Sequence, residues 1–211
     1  MRVLIVLGGD APGSELLERC MRASDLTIAA DRGLCAFAGT RLMPDLLLGD
    51  MDSVPADVLA RYEGRVPTRR LGCIKDDTDG VDALDYAIEQ GAREITLLGA
   101  LGGRLDHALA NLMLLVRASR CGVRAQIVDE RVRIIRVDGE EVVRDAVGDT
   151  LSLLPLGEAR GVTLTGFFYP LSDHTLKSDH PLGVSNVITE REARICVREG
   201  DLILFHNLGK V

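Results

Sequence analysis

The chain has 211 residues, 46% of them hydrophobic and 27% charged, a balance typical of a globular protein with room for one large domain or two small ones. A net charge of −7 without any basic stripe argues against a nucleic-acid partner. No apolar run reaches the length of a membrane span, and Met1 leads straight into a strand-like run without a charged leader, so neither membrane insertion nor a signal peptide is expected.

In chain order, RVLIVLG reads as a strand, SELLERCMRAS as a helix capped by Ser14, and LTIAAD as a second strand. A short helical piece follows, then LLLGD as a strand and PADVLARYEG as a helix with Pro55 at its start. Residues 78–91 have the apolar spacing of an amphipathic helix, with Thr78 or Asp77 as cap and Gly91 beyond its end. EITLLGA is another strand, and LDHALANLMLLVRASRCG a long helix stopped by Gly122. Alternation of this kind predicts a parallel sheet with helices on both faces.

Near residue 124 the period changes. AQIVDE, VRIIRVDGEEVVR, DTLSLLPL, GVTLTGF and ICVREGDLILFHNLG are short alternating runs separated by turn signals, which predicts a β-rich domain of about seven or eight strands. The boundary falls within residues 122–135, dividing the chain into 1–125, α/β, and 126–211, all-β. The five cysteines stand singly, without a CxxC pair, which fits a reducing cytoplasm better than a disulfide framework or a zinc site.

Four polar clusters sit directly after predicted strands: Gly8-Gly9-Asp10, Asp31-Arg32-Gly33, Gly49-Asp50-Met51-Asp52-Ser53, and the run from Gly99 to Arg104. Ligands of open parallel sheets bind outside the carboxyl ends of the strands, so four such clusters mark one edge as the site. On an extended backbone Asp50 and Asp52 point the same way and can share one hard cation; the alternative is an Asx turn into the next helix, with Ser53 as cap. Lys75-Asp76-Asp77-Thr78-Asp79 places three acids at a helix start, where the helix dipole alone favours them, or where they join the same metal. The glycines of GALGGRLDH leave backbone N–H groups open to a phosphate, Arg104 can fork onto phosphate oxygens, and Lys75 offers a point charge. Acids for Mg²⁺ beside donors for phosphate describe Mg-nucleotide chemistry.

These motifs in order, AADRG, LLGDMDS, KDDTD, GALGGRLDHALANLMLL and GVSN, resemble those of the thiamine pyrophosphokinase family over nearly the whole chain. The resemblance implies a Rossmann-like three-layer α/β domain with a mostly parallel sheet, followed by a β-sandwich that binds thiamine and dimerises. It implies transfer of a diphosphate from ATP to the hydroxyl of thiamine, releasing AMP. Carried over by position, Asp50, Asp52 and Asp79 hold Mg²⁺ and the diphosphate and are the catalytic acids. Asp31, Lys75, Asp76, Thr78 and Arg104 line the nucleotide and phosphate region with Asp106 close by, and Ser185 and Asn186 hold the aminopyrimidine of thiamine. The family works as a homodimer with active sites built between subunits. Arg32, Met51, Val81 and Val187 depart from the family pattern, and without Trp any stacking on thiamine falls to Phe167, Phe168 or Tyr169. The same residues admit two other readings: a nucleotide-sugar transferase with Asp50 and Asp52 as its DxD, which leaves KDDTD and GVSN unexplained, and a nucleotide- or thiamine-binding regulator, which has little use for so many acids.

Overall fold

The computed structural model describes residues 1–70 and 78–208. Two compact units, Met1–Glu130 and Arg131–Val211, divide the chain.

The first unit is built on six parallel strands: β1 (Arg2–Val6), β2 (Leu26–Ala30), β3 (Leu46–Gly49), β4 (Thr68–Arg70), β5 (Glu94–Leu98) and β6 (Arg124–Val128). Their order is 4-3-2-1-5-6. The chain therefore steps outward from β1 to β4 and then returns to lay β5 on the free side of β1, a reversal that opens a crevice between the ends of β1 and β5. Val3 to Val6 of β1 are all buried, as expected of a parallel strand covered on both faces. Leu4 and Val6 pack with Leu17, Phe37, Leu47 and Val58. Val3 and Ile5, alternating with them, turn to the opposite face.

Helices α1 (Ser14–Arg22), α2 (Ala56–Leu59), α3 (Asp79–Glu89) and α4 (Leu105–Arg120) connect these strands, with a 3-10 segment over Asp31–Phe37. Ser14 is the first helical residue of α1 rather than its cap. Gly13 holds the cap position without a side-chain cap bond, and its own N–H donates to Glu130 Oε1 at 2.6 Å. At α3 the expected cap is present: the Thr78 hydroxyl accepts from the Val81 N–H at 3.4 Å, and Gly91 (φ 85°) lies beyond the helix.

The AQIVDE run, expected among the β-rich strands, supplies β6, which pairs in parallel with β5 (Glu94 with Arg124, Leu97 with Ile127). Apolar alternation identifies a strand but not the direction of its neighbour.

The second unit holds seven strands among the described residues: β7 (Val132–Val137), β8 (Glu140–Arg144), β9 (Thr150–Thr165), β10 (Leu171–Lys177), β11 (Asn186–Val187), β12 (Glu192–Cys196) and β13 (Glu199–Asn207). All their pairings are antiparallel. The long β9 organises them, pairing with β13 and β11 along its first half and with β10 and β12 along its second. Leu151, Leu153, Val162, Leu164, Phe167, Ile195, Leu202 and Leu204 form one aliphatic core. No helix among the described residues is long and apolar enough to cross a membrane.

Candidate active site

The site begins where β2 and β3 end. Their register pairs Ala30 with Leu48, so the residues that follow, Asp31 and Gly49, meet side by side. A Cβ at Gly49 would lie 3.1 Å from the Asp31 Cβ, and Gly49 has φ 135°; a side chain there would push Asp31 away. Asp31 itself has φ 44° and is only 9% exposed. One of its carboxylate oxygens, Oδ2, accepts from the Ser53 hydroxyl. The other, Oδ1, is buried without a hydrogen-bond partner, a costly state for an anion unless a cation compensates.

Asp50 and Asp52 do not lie on extended backbone. Met51 between them has φ 65° and is buried, and the Asp52 N–H donates to Asp50 Oδ1 at 3.1 Å. The Asx turn that the sequence also allows is thus present, and it brings the carboxylates together rather than excluding a shared cation. One oxygen from each of Asp31, Asp50 and Asp52 lies within 4.8 Å of the others. Ser53, expected to cap the next helix, holds Asp31 instead, and Pro55 takes the N-cap position of α2.

The electrostatics follow from this crowding. The Asp50 charge is the main cause that raises the Asp52 carboxyl above its usual range. Burial raises Asp79, and the charges of Asp31 and Asp50 add to that. None of Asp31, Asp50, Asp52 or Asp79 has an ion-pair partner among the described residues. Clustered oxygen donors with a surplus of negative charge suit a hard divalent cation, and the orphaned Asp31 oxygen fits the same need.

Beside the acids lies a cavity of about 600 Å³, at the reversal point of the sheet, lined among others by Gly8, Gly9, Asp31, Asp50, Asp79 and Arg104. The loops after β1 and β5 are stitched together by Gly9 N–H to Gly99 O at 2.8 Å and Asp10 N–H to Leu101 O at 2.7 Å. A Cβ at Gly9 would stand 2.2 Å from the Leu101 carbonyl, so this approach requires glycine. Asn111 of α4 donates to the Ala100 carbonyl at 2.8 Å and closes the cavity from the helix side. Arg104, at the N-cap of α4, forks onto Asp106 through Nε (3.1 Å) and a terminal nitrogen (2.6 Å). That pairing holds the Asp106 carboxyl down to about 2.

Of the residues singled out in the sequence, Asp31, Asp50, Thr78, Asp79 and Arg104 line this one cavity, Asp52 joins through the carboxylate group, and Asp106 is attached through Arg104. Lys75 and Asp76 lie outside the described residues. Ser185 and Asn186 belong to the second unit. Ser185 has φ 60°, and its N–H donates to the Ser152 hydroxyl at 3.0 Å. Asn186 is buried, and its side-chain amide bonds to the backbone of Tyr169. Sequence reasoning missed the Ser53 contact and the role of Asn111. The latter had a signal: Asn111 is seven residues beyond Arg104, two helical turns, and so on the same face.

Comparison with known proteins agrees with this layout. The sequence model of the family described as "Thiamin pyrophosphokinase, catalytic domain" matches residues 17–127, and that described as "Thiamin pyrophosphokinase, vitamin B1 binding domain" matches residues 134–202. Thiamine pyrophosphokinase of Bacillus subtilis (strain 168) is 29% identical over 186 residues, spanning 86% of this chain and 87% of that protein. The crystal structure of the Bacillus subtilis thiamine pyrophosphokinase superposes with a TM-score of 0.86 at 26% identity, covering 98% of this chain and 99% of the other. That of thiamin pyrophosphokinase from Geobacillus thermodenitrificans gives 0.83 at 30% identity, covering 99% and 98%.

Proposed function

The chain belongs to the thiamin pyrophosphokinase family, and from that premise we propose that it transfers the diphosphate of ATP to the hydroxyl of thiamine, yielding thiamine diphosphate and AMP. The observation that carries the mechanism is the carboxylate group of Asp31, Asp50 and Asp52 beside a glycine-lined cavity. Asp50 and Asp52, with Asp31 and Asp79 next to them, would hold Mg²⁺. When bound there, the ion neutralises charge on the diphosphate being transferred.

The protein's own groups do the rest. The backbone N–H groups of Gly8, Gly102 and Gly103 and the start of α4 donate to phosphate oxygens. Arg104 exchanges its fork on Asp106 for a fork on phosphate, and Asp106 keeps the guanidinium oriented until then. Lys75, Asp76 and Thr78 complete the nucleotide region. The thiamine hydroxyl attacks the β-phosphorus, the bond from that phosphorus to the α-phosphate oxygen breaks, and AMP leaves. An aspartate of the cluster takes the hydroxyl proton, a role worth about 10²–10⁴-fold.

The first unit forms a Rossmann-like, three-layer catalytic domain, a reading supported by the all-parallel strand order 4-3-2-1-5-6. The second unit forms a β-sandwich that binds thiamine near Ser185 and Asn186 and mediates a homodimer with shared active sites. Support for the sandwich comes from its antiparallel pairings around one aliphatic core. The protein works in the cytoplasm, in keeping with the unpaired Cys20, Cys35, Cys121 and Cys196.

The test is mass-resolved product analysis after incubation with thiamine and ATP, with Mg²⁺ or with a chelator. Thiamine diphosphate and AMP in equal amounts, lost on chelation, is the expected result. ADP with thiamine monophosphate would mean attack at the wrong phosphorus and would overturn the mechanism.

A further inference from the structure

Two arginines line the cavity at the sheet edge, and they stand in different states. Arg104 is committed to Asp106 by two hydrogen bonds. Arg32, one of the departures from the family pattern, is exposed, and its guanidinium makes no hydrogen bond or ion pair among the described residues. This holds although Asp31, Asp50 and Asp79 line the same cavity. A planar fork of donors kept beside carboxylates without pairing to them is open to an incoming anion.

Two glycines build the place of Arg32. A Cβ at Gly8 would lie 2.8 Å from the Arg32 Cβ, so the bare backbone after β1 makes room for the arginine stem. A Cβ at Gly33 would meet the Val6 carbonyl at 1.9 Å, so the 3-10 segment after β2 presses against the end of β1 only with glycine there. The stem of Arg32 is thus anchored while its charge stays uncommitted. Its position along the sheet edge indicates which anion it meets. The strand order 4-3-2-1-5-6 puts Arg32 at the end of β2, Gly8 and Gly9 at the end of β1, and the run from Gly99 to Arg104 after β5. The carboxylate group that would hold Mg²⁺ gathers at the ends of β2 and β3, on the side of Arg32, and Arg104 stands on the other side of β1. A triphosphate laid across β1 has its metal-bound end beside Arg32.

We propose that Arg32 binds the diphosphate that is transferred, forking onto oxygens of the metal-held phosphates while Arg104 holds the opposite, nucleotide end. Arg104 must release Asp106 to do so, whereas Arg32 gives up no partner among the described residues. The contact travels with the diphosphate from ATP into the product, so Arg32 recognises a diphosphate group and not AMP. The inference rests on the reading that ATP donates a diphosphate.

The experiment is calorimetric titration of the full chain, as wild type, R32Q and R32K, with pyrophosphate and with AMP, each in the presence of Mg²⁺, beside steady-state kinetics. R32Q should weaken pyrophosphate binding about 10-fold and raise the KM for ATP by a similar factor, while the affinity for AMP and the KM for thiamine stay within about 2-fold. R32K keeps the charge without the fork and should recover only part of the loss. Pyrophosphate bound equally well by R32Q, or not at all by the wild type, would overturn the proposal. So would equal weakening of AMP and pyrophosphate, which would mean a field spread over the whole cavity, and so would full recovery in R32K, which would mean that charge alone is needed. Binding requires no turnover, so the two readings separate. A wild type that turns over normally while R32Q binds pyrophosphate unchanged sinks this inference alone; a wild type that makes no thiamine diphosphate yet binds pyrophosphate through Arg32 sinks the reading of the reaction and keeps the diphosphate contact.

Discussion

The second unit and the acid cluster of the first use their carboxylates in opposite ways. In the second, carboxylates are matched to guanidinium groups: Asp201 with Arg136 at 2.7 Å, Glu192 with Arg144 at 3.2 Å, Glu140 with Arg194 at 3.0 Å, Asp173 with Arg198 at 2.9 Å. In the first, the four carboxylates at the ends of β2 and β3 and the start of α3 face one another, and burial and mutual repulsion raise Asp52 and Asp79. Left-handed backbone occurs in both units, at Asp31 and Met51 of the acid cluster and at Asp145, Asp173 and Ser185 of the second unit. A fold that pairs its acids gains order, whereas one that leaves them unpaired pays in stability for a site that awaits positive charge.

The contrast can be broken most directly at the cluster. Asp50→Asn should lower product formation by about 10²–10³-fold, yet leave the melting temperature no lower than wild type, because it relieves repulsion. Steady-state rates together with a thermal melt measure both, and a clear fall in melting temperature would mean that Asp50 is a stabilising rather than a functional charge. In the second unit the aliphatic core sets the largest effect. Ile195 is fully buried, and Ile195→Ala should cost about 2–5 kcal/mol in a denaturant titration.

A matched substitution sharpens the difference. Asp201→Asn weakens the half-buried pair with Arg136 and should destabilise by about 1 kcal/mol, the opposite sign to Asp50→Asn. The smallest effect is expected at Asp106. Its carboxyl is held down to about 2 by Arg104, below the ordinary 3.8, so the stability it contributes is complete above the ordinary value and fades as pH falls toward 2. Acid titration of Asp106→Asn beside wild type should show a slightly flatter loss of stability over that range, and small because both groups are exposed to solvent.

Much of the layout could be read from the sequence because it is written in local periods. The strand–helix alternation, the change of period near residue 124, the cap at Thr78 and the polar clusters at strand ends all depend on residues a few positions apart. The readings that changed involve partners far along the chain. Ser14 lost the cap position to Gly13, whose N–H is bound by the distant Glu130, Ser53 turned from a helix cap to a support for Asp31, and AQIVDE found a parallel neighbour in β5. The acid pair at Asp50 and Asp52 was visible as DxD. That Asp31 completes it was not, since the contact exists only because β2 and β3 lie side by side in register.

The sequence by itself determined the two kinds of architecture, the edge on which the polar residues gather, and the family. Hydrophobic period and spaced motifs are properties of the chain, and they survive without coordinates. Tertiary structure alone decided which carboxylates share a site, that Met51 turns left-handed to bring them together, and that the Asn186 amide is already occupied by Tyr169. These are matters of register and of hydrogen bonds between segments, and a buried polar group shows what it is for only when its partners are known.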